Sequence, residues 1–110
     1  MAGIVRRSFD EADQVYPYED GSRSEVVAIG RTSVMRSVMQ PGWSWEKYVK
    51  PMANTDSCPM DHLEVIVSGR IRYRMDDGTE LIGQAGDFLQ ISPGHLATVL
   101  GEEPCVTIDW

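Results

Sequence analysis

A chain of 110 residues folds as one domain around one core, burying roughly two thirds of its unfolded surface, with no length left for a second. Its 42% hydrophobic and 25% charged residues exclude a disordered tail. Seventeen acidic against ten basic side chains, a net charge of -7, exclude a binder of phosphate backbones or of anionic membrane surfaces.

The N-terminal residues 1–24 read as an extension that packs on the domain. Ser8 with Glu11 three residues on fits a capping box, predicting a short helical turn to about Gln14, and Pro17 stops it. Tyr16 to Gly21 reads as an extended segment entering a turn. From Glu25 onward the pattern becomes β: Val26–Ile29 closed by Gly30, then Ser33–Met39 closed by Pro41-Gly42. Trp43-Ser44-Trp45 alternates strictly, which predicts both indoles on one face, and 50–57 reads as a loop. Leu63–Val67 is almost wholly apolar and predicts a strand buried on both faces. Ile71–Met75 alternates apolar with Arg72 and Arg74 and is the clearest amphipathic strand. Asp76-Asp77-Gly78 is a hairpin turn. Short strands follow at Thr79–Ile82, Phe88–Ile91, Leu96–Leu100 and Cys105–Trp110, with turns at Gly83–Gly86, Ser92–Gly94 and Gly101–Pro104. Many short strands with Gly/Pro turns, and no helix beyond the N-terminal turn, indicate an all-β sandwich or barrel.

No apolar run approaches the ~20 residues of a membrane helix, and the N-terminus lacks the apolar stretch of a signal peptide, so a cytoplasmic protein with no membrane partner is expected. Two cysteines are too few for a disulfide scaffold, and a reducing compartment predicts free thiols, although one Cys58–Cys105 bridge stays open. Arg70, Arg72 and Arg74 form a basic row on one strand face. Such a row reads as a solvated face or an oligomer contact, and no nucleic-acid partner is expected.

Gly86-Asp87, Ile91, Pro93-Gly94 and His95, with Ser92 in place of a proline, resemble the second motif of the cupins. Counting back from Gly69, His62, Cys58 and Asp56 fall on the glutamate and two histidine positions of the first cupin motif. The usual metal-binding histidine of the second motif falls on Ala97, two residues past His95. The likeness spans Met39 to Trp110 and is greatest to small single-domain cupins carrying Asp-Ser-Cys-x3-His, Ser-Gly-Arg, Met-Asp-Asp-Gly-Thr-Glu, Pro-Gly-His and Glu-Pro-Cys-Val. It implies a cupin-type jelly-roll β-barrel (double-stranded β-helix) over 1–110, with a small-molecule pocket inside and, as for other open-edged jelly rolls, a homodimer.

Strand alternation places Asp56, Cys58, His62, Glu64 and Ile66 on one inward face, with His95 opposite and Tyr73 on the same cavity. Cys58, His62 and His95 are the expected ligands of a divalent metal. Thiolate with imidazole favours zinc, with iron, manganese or nickel as alternatives and a metal-free pocket as an equal one. His62, Glu64 and Tyr73 are the candidate catalytic groups, His62 and Glu64 as an acid/base pair. Asp56, Trp43, Trp45 and Phe88 are candidate ligand contacts, and Cys105 is core. A small metabolic enzyme (isomerase, lyase, cyclase or oxygenase) is the expected function, against a non-catalytic binding or sensor module using the same pocket.

Overall fold

In the computed structural model, which describes residues 3–110, nine short strands carry the chain. They are β1 (Gln14–Pro17), β2 (Arg23–Ile29), β3 (Thr32–Met39), β4 (His62–Ser68), β5 (Arg70–Met75), β6 (Glu80–Gln84), β7 (Phe88–Ile91), β8 (His95–Leu100) and β9 (Cys105–Asp109). They form a six-stranded sheet in the order β1-β2-β3-β9-β4-β7 and a three-stranded sheet in the order β6-β5-β8. All of these pairings are antiparallel. Inward side chains of both sheets meet in one core, with Ile66, Val99, Ile71 and Cys105 almost wholly buried. This is the all-β jelly-roll arrangement that the turn spacing predicts.

Glycine at the corners sets the strand ends. Gly69, between β4 and β5, has φ 81°, and a Cβ there would lie 2.6 Å from the Pro104 carbonyl oxygen and 2.7 Å from Cys105 Cα. Only glycine lets the corner close over β9. Gly83 behaves differently from its predicted turn role. It stays inside β6, where a Cβ would meet Ile66 Cδ1 at 2.5 Å, so its lack of a side chain serves sheet packing.

Two helical turns depart from the expectation of no further helix. Ser44 caps α1 (Trp45–Tyr48) by accepting a hydrogen bond from the Lys47 amide, and α2 (Lys50–Ala53) carries Pro51 at its start and ends on Asn54 in the left-handed region. The Trp43-Ser44-Trp45 alternation is thus a cap and a helix start rather than a strand. A trace of strand pairing persists in the Ser44–Thr98 bridge, and both indoles are buried.

At the N-terminus Ser8 caps a single 3-10 turn, Phe9–Glu11, and β1 begins at Gln14, three residues past its end. β1 pairs with β2 and so belongs to the large sheet, while Met1 and Ala2 of the predicted extension lie outside the described residues. Arg7 ties the segment down by donating to the Ala28 carbonyl at 2.7 Å and to Asp13 at 3.0 Å. The guanidinium of Arg36 lies over the Phe9 ring, and Glu25 is buried between Arg23 and Arg36. No helix among the described residues is long and apolar enough to cross a membrane.

Candidate functional site

His62 opens β4, and the period of two along the strand puts Glu64 and Ile66 on its inner face. β9 runs beside β4 in a register that sets Asp109 opposite Glu64. His95 opens β8 on the other sheet, opposite Met75 of β5, while Tyr73 of β5 faces Ala97. Cys58 lies in no strand but is locked to His95 by a two-way bridge: its amide donates to the His95 carbonyl and its carbonyl accepts from the Gly94 amide, both at 2.8 Å. Gly94 has φ 93°, and a Cβ there would meet Asp76 Oδ2 at 2.7 Å. That same carboxylate accepts from the Ser57 hydroxyl, so Asp76 pins the loop that presents Cys58.

These groups share the wall of a cavity of about 410 Å³ lined from both sheets. One donor atom from each of Cys58, His62 and His95 falls within 4.8 Å of the others. His62 Nε2 is 3.9 Å from Cys58 Sγ, and its Nδ1 is 3.1 Å from Asp109 Oδ2. His95 Nδ1 donates to the Ser92 carbonyl at 2.7 Å. Tyr73 donates its hydroxyl to Glu64 Oε2.

Burial by itself raises the Cys58 thiol, but hydrogen bonds from His62 and His95 outweigh it and bring the thiol down to about 6. Burial likewise disfavours the His62 cation, yet the Asp109 and Cys58 hydrogen bonds prevail and raise it to about 10. The site therefore holds a thiolate beside an imidazolium backed by a carboxylate. Burial pushes the Glu64 carboxyl up despite its bond from Tyr73, and burial with the nearby Glu64 charge pushes the Tyr73 phenol well above its usual range. Cys105, buried and facing the charges of Glu64 and Glu103, rises to about 12. Both cysteines are free thiols, so the bridge left open by the sequence is not formed.

The cavity wall includes Cys58, His62, Glu64, Tyr73, His95, Trp43 and Trp45. It does not include Asp56 or Phe88. Strand alternation does not extend back through the loop, and the Asp56 side chain is fully exposed near Lys50. Phe88 pairs with Val65 on the outer face of the large sheet, is 69% exposed and meets Trp110 edge-on. Sequence reasoning missed Asp109, whose only signal is parity: Cys105, Thr107 and Asp109 share the inner face of β9. It also missed Ser24 and Ser37, buried residues of the wall whose hydroxyls bond each other at 2.8 Å.

No protein-family model matches this chain, and no curated protein matches it in sequence. Solved structures do match in fold. A protein with a double-stranded β-helix domain from Klebsiella pneumoniae superposes with a TM-score of 0.63 at 23% identity, covering 99% of this chain and 88% of that one. A Cupin 2 conserved barrel domain protein from Salinispora arenicola gives 0.62 at 17% identity over 99% and 90% of the two chains. An RmlC-like cupin from Shewanella frigidimarina gives 0.60 at 14% identity over 93% and 86%. The chain has the cupin fold, a double-stranded β-helix.

Proposed function

We propose that this cupin is a small-molecule enzyme whose cavity holds a divalent metal, zinc first, on Cys58, His62 and His95. The supporting observation is the orientation of the two imidazoles. Each commits Nδ1 to an oxygen acceptor, Asp109 or Ser92, and leaves Nε2 for the site shared with Cys58. Such outer partners are what metal-bound histidines use to fix ring orientation. A thiolate and two imidazoles suit zinc, with iron, manganese or nickel as alternatives, and leave a position open to the cavity. Bound there, the ion would supply Lewis-acid polarisation of a ligand oxygen.

The protein's own groups supply the rest. Glu64 Oε1 exchanges a proton with the ligand while Oε2 stays fixed by the Tyr73 hydroxyl. The aromatic wall of Trp43 and Trp45 excludes water and positions the ligand. An isomerase, lyase or cyclase follows with zinc, and an oxygenase with iron.

Elemental analysis and zinc titration of the untagged protein test this. One zinc per chain is expected, lost in both His62→Ala and His95→Ala while the β circular dichroism spectrum persists. Full uptake by both variants would sink the ligand assignment. The metal-free reading, a binding or sensor module, draws on the self-contained pairing of Glu64 with Tyr73 and of Asp109 with His62. A pocket ligand retained through purification without turnover would favour it.

A homodimer is proposed through the outer face of the large sheet, where Leu63, Val67, Phe88 and Trp110 are exposed and Phe88 meets Trp110 edge-on. Light scattering should give twice the chain mass for the native protein and a monomer for Phe88→Glu.

A further inference from the structure

The cavity wall is divided by chemistry. Beside the ionisable groups it carries the large side chains of Tyr16, Tyr18, Met35, Met39, Trp43 and Trp45. Among the described residues, no Lys or Arg side chain lines it. Its two carboxylates are engaged within the protein, Glu64 by Tyr73 and Asp109 by His62. In the apolar part, the Ser24 and Ser37 hydroxyls satisfy each other.

We infer that the ligand is an uncharged, mostly apolar ring compound, lying against the aromatic wall with one oxygen-bearing head toward Cys58, His62 and His95. The inference rests on the proposed small-molecule function and adds the ligand class. A ligand carboxylate or phosphate would leave water for a wall with no Lys or Arg, where His62 is already held between Asp109 and Cys58, a transfer that costs several kcal/mol unless the charge is paired. An ammonium would meet only carboxylates already bonded to Tyr73 and His62. A neutral flat molecule meets neither penalty and gains ring contacts with Tyr18, Trp43 and Trp45. The volume of about 410 Å³ lies within the range of small-ligand sites.

The test uses two probes of nearly equal shape, naphthol, neutral at pH 7, and naphthoate, an anion. Calorimetry on the full chain, stripped of metal and assayed for residual zinc, is expected to show naphthol binding at least roughly tenfold more tightly, the scale of an unpaired charge entering an apolar site. Met35→Trp, which fills the cavity, should abolish naphthol binding, whereas Phe88→Ser on the outer face should leave it unchanged. Equal or tighter naphthoate binding, no binding of either probe, or naphthol binding that survives in a folded Met35→Trp variant would overturn the inference. The comparison of the two probes on the unmodified chain decides even if that variant fails to fold. Zinc uptake, measured separately, keeps the two ideas apart. Uptake with no preference for naphthol defeats the ligand class alone, and preference without uptake defeats the metal site alone.

Discussion

Cys58 and Cys105 are both buried and both free, yet their surroundings drive the two thiols in opposite directions. Cys58 sits on a pinned loop between two histidines that open strands, and it is brought down to about 6. Cys105 sits mid-sheet at the start of β9 beside carboxylates, and it is pushed up to about 12. Burial acts in the same sense on both. What separates them is the presence of imidazole donors at one and of negative charge at the other, so site chemistry here depends on hydrogen-bond partners more than on depth.

The widest test of that contrast is thiol reactivity in metal-free protein. With thiols near 6 and 12, the thiolate fractions at pH 7 differ by about five orders of magnitude. Iodoacetamide should label Cys58 and spare Cys105 in the folded chain, as read by peptide mass spectrometry. Comparable labelling of the two would remove the basis for treating Cys58 as a ligand-grade thiolate.

Asp109→Asn removes the charge that backs His62 while keeping the shape of the side chain. Zinc affinity should fall about 10–100-fold, the usual cost of losing an outer partner of a metal-bound histidine. The His62 imidazole should titrate lower and the Cys58 thiol higher, because each stabilises the other's charged form. Unchanged zinc affinity would show that Asp109 serves only the fold.

Asp109 also marks the limit of what the sequence made legible. The corners were readable because turns with positive φ use glycine, as at Gly69, Gly78, Gly86 and Gly94. Cys58, His62 and His95 were readable because their spacing from Gly69 and Pro93 resembles cupin motifs. Asp109 was hidden because only the insertion of β9 between β3 and β4 brings it to His62, a long-range pairing with no local trace. Asp56 and Phe88 failed for opposite reasons. Alternation was extended through a loop that is not a strand in the first case. In the second, β7 pairs with β4 in the register that turns Phe88 outward. The helical turns were missed because one turn of α1 begins inside a motif that also alternates.

The same contrast governs how stability depends on pH. Cys58 has a folded value of about 6 against 9.0 for the free thiol, so its contribution is complete above 9.0 and is lost as pH falls through about 6. His62 has about 10 against 6.5, so its contribution is complete below 6.5 and is lost as pH rises through about 10. The opposing slopes cancel between 6.5 and 9.0, where the urea midpoint of metal-free protein should be flat. It should fall on either side, more steeply above 9.0 because Cys105 resists ionisation only in the folded state. A midpoint that rises steadily across the plateau would mean that Cys58 and His62 do not form an ion pair.

The smallest expected effect concerns the inert partner. Cys105→Ser places a hydroxyl where the native thiol is fully buried, packed under the Gly69 corner and paired in register with Met39. Leaving that hydroxyl without a full set of partners costs about 1–3 kcal/mol, which should lower the urea midpoint. Zinc stoichiometry and the reactivity of Cys58 should not change, because Cys105 contributes no atom to the Cys58, His62 and His95 cluster. Loss of zinc uptake in a variant that still folds would show that the β9 strand, through Thr107 and Asp109, transmits packing at Cys105 to the site. The two cysteines would then be coupled rather than merely different.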